Sequence, residues 1–259
     1  MEMFTFPNCR TSIWLAILFV LWTIVILIIC VITNTPSYLY ATLLYGITTG
    51  VLAIAFRTKV MDRSILRFNN IGTKTLLLAV GGTLCIPWVH ALIHSVIPYP
   101  EFLTKEFAAI NNERVDETQY IFYIISAILT PFTIEIIFRG VILRGLLLEY
   151  NTRKSIVIAA IIYAVVWGCI TLLPILGLLY GLWFGWLYVH SRSLWTSLIA
   201  FIALQLMSAI YSIIGNYFTI SPQVESAMTG DSWIVNLIMT VLFCIPTYFL
   251  HLTFKHNGN

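Results

Sequence analysis

Two clusters of side chains in this chain have the types and spacing to do chemistry. Glu135 and Arg139 stand four residues apart in "PFTIEIIFRG", inside a run that otherwise reads as lipid-soluble helix. A carboxylate can act as a general base or a metal ligand, and a guanidinium can stabilise developing negative charge. With the acid on the N-terminal side, the same spacing also makes the better-oriented helical ion pair. His90 and His94 in "WVHALIH" share that spacing, which puts two imidazoles on one helix face and suits zinc. Counting along antiparallel spans brings His90 within a turn or two of the depth of Glu135, so a site of two histidines and one carboxylate is one reading. The plainer one takes both histidines as polar residues near the outer membrane interface.

The elements that must position these groups are membrane helices. A chain that is 59% hydrophobic and 10% charged cannot cover a soluble surface with polar side chains. Apolar segments at 13–33, 38–56, 75–97, 119–148, 155–171, 173–190, 194–215 and 233–254 are each near or above the roughly 20 residues needed to cross a bilayer. The fold class expected is an all-α polytopic bundle of about eight transmembrane helices, forming a single integral membrane domain over 1–259. The first segment is too long for a signal-peptide h-region and lacks a small-residue cleavage site, so it is expected to stay as an anchor.

Orientation follows from the basic residues, which collect in cytoplasmic loops. Arg57, Lys59, Arg63, Arg67 and Lys74 fall together, and Arg10, Arg153, Lys154, Arg192 and Lys255 fall at ends that eight crossings place on the same side. The loop after the third span holds Glu101, Glu106, Glu113, Asp116 and Glu117 against Lys105 and Arg114. Both termini are then expected inside. This asymmetry accounts for the net charge of +3 without a nucleic-acid partner; the basic loop belongs against anionic lipid. The five cysteines are scattered, with no pairing suited to a disulfide framework or a thiolate metal site, and are expected to pack as small apolar residues. His190 beside Arg192 reads as a cytoplasmic loop residue, and the tryptophans and tyrosines as interfacial belt and packing.

Charges at the depth of Glu135 and Arg139 cost about 2.5 to 3.5 kcal/mol each on insertion scales, so both must face the bundle interior and find partners. The stretch around them, "EIIFRGVILRGLL", resembles the first motif of the CPBP family, whose members include type II CAAX prenyl endopeptidases and bacteriocin-processing or immunity proteins. That motif is Glu-Glu-x-x-x-Arg, usually followed by Gly. Downstream, "GLLYGLWFGWLYVHSRSLWTSLIAF" resembles the family's glycine-spaced helix, its Leu-Tyr exit and the Ser-Leu-Trp that opens the next helix. The CPBP-like core covers roughly 120–210. Glycines 177, 181 and 185 also suit ordinary close packing of membrane helices.

The resemblance implies four further polar positions, and this chain departs from all of them. Aligned on Arg139, the second glutamate is kept as Glu135 and the first, the family's proposed water-activating base, is Ile134. The expected aromatic-x-x-x-His reads Tyr163 to Trp167. The expected His-x-x-x-Asn reads Phe201 and Gln205. Isoleucine and phenylalanine neither accept a proton nor bind a metal; tryptophan donates one N–H and has no lone pair for a metal; glutamine orients without deprotonating. The resemblance therefore implies no confident catalytic residue, no cofactor, and a fold-holding role for the retained pair.

Three function classes follow: a non-catalytic CPBP relative acting as scaffold, immunity factor or regulator of a membrane-protein or lipidated-peptide partner; an active intramembrane endopeptidase with atypical residues; and a small transporter. The missing polar set favours the first over the second. The lack of an inverted repeat or of paired Gly/Pro-broken helices weighs against the third. A bacterial plasma membrane is the expected location.

Overall fold

A computed structural model describes residues 9–33, 37–57, 68–96, 117–171, 174–217 and 233–257. Counted over these residues the protein is all helical, with eight helices: α1 (Cys9–Ile32), α2 (Ser37–Arg57), α3 (Thr73–Val96), α4 (Glu117–Glu135, continuing through Ile136–Leu143 and Arg144–Glu149), α5 (Thr152–Thr171), α6 (Pro174–Ser191), α7 (Leu194–Tyr217) and α8 (Trp233–Asn257). The stretches Cys9–Cys30, Thr73–Ile93 and Tyr120–Glu149 are long and apolar enough to cross a membrane, with mean hydropathies of 3.1, 2.0 and 2.0. The acidic loop expected outside, 101–117, lies outside the described residues except for Glu117, which opens α4. His190 is not a loop residue: it lies in the last turn of α6, which ends at Ser191, and its ring nitrogen meets the Trp186 carbonyl at 2.9 Å.

Helix α4 is the axis of the bundle. It packs against α2 and α7, while its middle segment also touches α5 and α6. Thr133 on α4 shares a 2.6 Å hydroxyl contact with Thr49 on α2 and donates to the Tyr45 carbonyl at 3.3 Å. In a membrane, where every polar group needs an internal partner, such contacts join helices that apolar packing alone would leave free to slide. Outside this group, α8 packs on α3, and α3 reaches α7 and α6.

Helices α5 and α6 pack closely, and the sequence explains why. A Cβ on Gly181 would stand 2.7 Å from the Ala160 Cα, one on Gly177 would stand 2.8 Å from the Trp167 Cβ, and one on Gly185 would stand 3.3 Å from Ile156. The three glycines thus let α6 lie directly on the backbone of α5, the arrangement that small residues at four-residue spacing permit. The described thiols Cys9, Cys30, Cys85 and Cys244 are free, and Cys30 packs inside the core.

Candidate functional site

Helix α4 changes character at Glu135. The residues up to it are α-helical, and Ile136–Leu143 form a π segment. Widening the turn spreads the inward face, and Phe138, Arg139, Gly140, Val141, Ile142 and Leu143 are all buried. π turns are uncommon and recur at functional positions. Here the segment carries one arginine into the centre of the bundle.

Arg139 is 2% exposed and Glu135 is 0% exposed. Arg139 Nη1 lies 3.0 Å from Glu135 Oε1, an ion pair at the expected spacing. The approach is off the hydrogen-bond direction, and neither Glu135 oxygen accepts a well-directed hydrogen bond. Ser197 on α7 faces the carboxylate, with its own hydroxyl donating to the Leu194 carbonyl at 3.3 Å. Arg139 uses its other terminal nitrogen to donate to the Tyr180 carbonyl on α6 at 3.2 Å. The guanidinium therefore joins α4 to α6 as well as to its own helix.

Aromatic rings enclose the guanidinium. Its carbon sits 4.6 Å from the centre of the Tyr163 ring on α5 and 5.3 Å from that of Phe184 on α6, both within cation–π range. Tyr163 stacks on Trp167 at 5.6 Å, and Tyr180 lies 6.2 Å from Trp167, 5.8 Å from Phe184 and 6.4 Å from Phe201. Phe184 and Phe201 stack at 5.0 Å. The buried Tyr163 hydroxyl makes no hydrogen bond.

The positions singled out by resemblance fall in three places. Trp167 and Phe201, standing where histidines were expected, meet in this aromatic cluster through Tyr180. Ile134 is buried at 1% exposure in the same core. Gln205 is separate: with Ser126, Thr130 and Ser208 it lines a cavity of about 210 Å³ between α4 and α7. Pro131, inside α4, has no N–H for the carbonyl of Ala127, another of the residues that line this cavity. His90 is buried on α3, 8% exposed. The His94 side chain lies outside the described residues, among which no group of three His, Cys, Asp or Glu side chains converges.

The arrangement gives the retained pair two helices to hold and surrounds it with rings, none of which is an imidazole. Tyr180, Phe184 and Ser197 were missed from sequence. Their signal was faint: Tyr180 and Phe184 follow the small residues of α6 at the same four-residue period, and nothing local says that they face an arginine forty residues earlier.

Residues 116–207 match the family model described as type II CAAX prenyl endopeptidase Rce1-like. No curated protein and no solved structure matches the chain significantly. The match spans α4 to the middle of α7 and takes in the ion pair, the aromatic cluster and Gln205. Residues 116–207 are therefore similar to the Rce1-like type II CAAX prenyl endopeptidases of the CPBP family, within a chain that has helices long and apolar enough to cross a membrane.

Proposed function

We propose that this protein is a non-catalytic CPBP relative that holds a membrane-protein or lipidated-peptide partner. One observation carries the reading: the space around the retained Glu135 and Arg139 is occupied by Tyr163, Tyr180, Phe184 and Phe201, with Ile134 and Trp167 in the core beside them. A hydrolase needs a water, a proton acceptor and donors for the developing oxyanion. Ile134, Phe184 and Phe201 supply no proton acceptor, and the one carboxylate among the described residues there, Glu135, is already paired with Arg139. In this reading the motif arginine has become a structural clamp between α4 and α6, and the inherited fold serves as a binding body.

The bundle spans the membrane eight times, with both termini cytoplasmic and the whole of 1–259 in one domain built round the core at 120–210. What supports this is eight helices that match the eight apolar segments, together with the basic and acidic asymmetry of their connections. A bacterial plasma membrane suits a relative of immunity and bacteriocin-processing proteins.

Mild-detergent purification followed by mass spectrometry tests the proposal, run beside a cleavage assay on prenylated and leader peptides. A scaffold brings down one stoichiometric membrane protein and cleaves nothing. Chelator-sensitive cleavage by the purified protein, abolished in His90→Ala or His94→Ala, would replace the scaffold with an unusual endopeptidase.

A further inference from the structure

One end of the bundle holds a cavity that the family motif does not use. Its volume is about 460 Å³, and it lies where α3 and α5 begin and α6 and α8 end. Residues Gly72, Thr75, Thr152, His190 and Arg192 form its polar wall, and Phe254 and Val189 part of its apolar one. The wall is built rather than incidental. Asn69 donates to the Arg192 carbonyl at 2.7 Å and Ser193 donates to the Asn69 carbonyl at 2.8 Å, which staples the approach to α3 onto the turn after α6. Arg192 itself sits in the left-handed region, at φ 53°.

We infer that this cavity binds a phosphate-ester anion, of the kind carried by an anionic lipid headgroup or a small soluble phosphate. Three observations converge on negative charge. Arg192 projects at the rim and makes no ion pair with any described residue. The starts of α3 and α5 both contribute to the wall and give it the partial positive charge of two helix N-termini, although at α5 the Lys154 N–H is already capped by the Asn151 side chain at 3.0 Å. Their first turns contain no acid and carry Lys74, Arg153 and Lys154 instead, the opposite of the charge that a helix start favours. An anion between them relieves that repulsion.

The fourth observation points to a bound group directly. Thr75 is 7% exposed, lines the cavity, and its hydroxyl makes no hydrogen bond with any described residue. Thr83, Thr48 and Ser155 bond their hydroxyls to backbone carbonyls, and Ser12, Tyr163 and Thr196 are buried without a partner; of the buried hydroxyls without a partner, that of Thr75 is the one on the wall of this cavity. A phosphate oxygen beside Thr75 completes it, with Arg192 giving a charge-assisted, fork-shaped contact. The apolar wall at Phe254 and Val189 then receives the carbon skeleton of the ester.

The test uses full-length protein in a neutral detergent, with the melting midpoint followed at constant ionic strength. Phosphatidylglycerol, inorganic phosphate and phosphatidylcholine are titrated separately. A saturable rise with phosphatidylglycerol alone identifies a headgroup, and one with inorganic phosphate identifies a soluble ester. Arg192→Gln should weaken the apparent affinity by roughly tenfold or more, the loss expected for one charge-assisted contact. Thr75→Val, which keeps the shape, should weaken it severalfold. Arg10→Gln, which removes a charge away from the cavity, should leave it unchanged. The inference is overturned if no anion stabilises the wild type above the phosphatidylcholine control. It also fails if Arg192→Gln and Thr75→Val keep wild-type affinity, or if Arg10→Gln weakens binding as much as Arg192→Gln.

Discussion

Replacing Arg139 with methionine should damage the fold more than replacing both Arg139 and Glu135 with apolar residues. The single change removes the 3.0 Å ion pair, the 3.2 Å bond to the Tyr180 carbonyl and the ring contacts at 4.6 and 5.3 Å. It also leaves a carboxylate at 0% exposure with no cation. Breaking a buried pair from one side costs about 3 to 5 kcal/mol, most of it the stranded charge. By soluble-domain scaling, in which 1 kcal/mol moves the midpoint by about 2 to 4 °C, this is a drop of about 6 to 20 °C. Glu135→Leu should cost a similar amount by stranding the guanidinium, tempered because Tyr180, Tyr163 and Phe184 still receive it. In Glu135→Leu with Arg139→Met neither charge remains, so the penalty should fall by about 2 kcal/mol or more below the worse single change. Melting midpoints in detergent, followed by size-exclusion fluorescence, give all four corners of the cycle. A double variant as unstable as the worse single one would refute the ion-pair account and leave packing volume as the cause.

The glycine contacts on α6 make a sharper geometric prediction: Gly181→Ala should destabilise by about 1 to 3 kcal/mol, because its Cβ meets backbone at 2.7 Å, whereas Gly50→Ala, with open space around it, should be neutral or slightly stabilising. A midpoint unchanged in Gly181→Ala would contradict the close packing of α5 on α6. Ile134→Glu should fail to restore cleavage, since members of a catalytic unit act together, and should lower the midpoint by placing a second carboxylate beside Glu135; cleavage appearing with this one change would overturn the non-catalytic proposal. Cysteines introduced between Glu101 and Glu117 should label from outside intact cells, and labelling only after permeabilisation would invert the proposed topology.

The sequence by itself determined the helices. A bilayer demands long apolar runs with every backbone group bonded inside the run, so composition and period carry nearly all the information, and the eight segments fall on the eight described helices within a few residues. It also marked Glu135 and Arg139 as a pair, because i,i+4 neighbours meet whatever the rest of the fold does, and it offered close packing as one use for glycines 177, 181 and 185. What only the tertiary structure decided is everything that depends on contact between helices. Local sequence gives a residue's face but not which other face it meets. Tyr163, Tyr180 and Phe184 lie on two helices apart from α4, and only the docking of the α5–α6 pair against the π segment puts their rings around Arg139. The same holds for Thr75 and Arg192, more than a hundred residues apart, which share one cavity because α3 begins where α6 ends. Gln205 shows the converse. Counted from Ser-Leu-Trp it shares a helix face with Phe201, yet it sits one turn further along the axis, past the aromatic cluster, where that face meets α4 at a separate cavity.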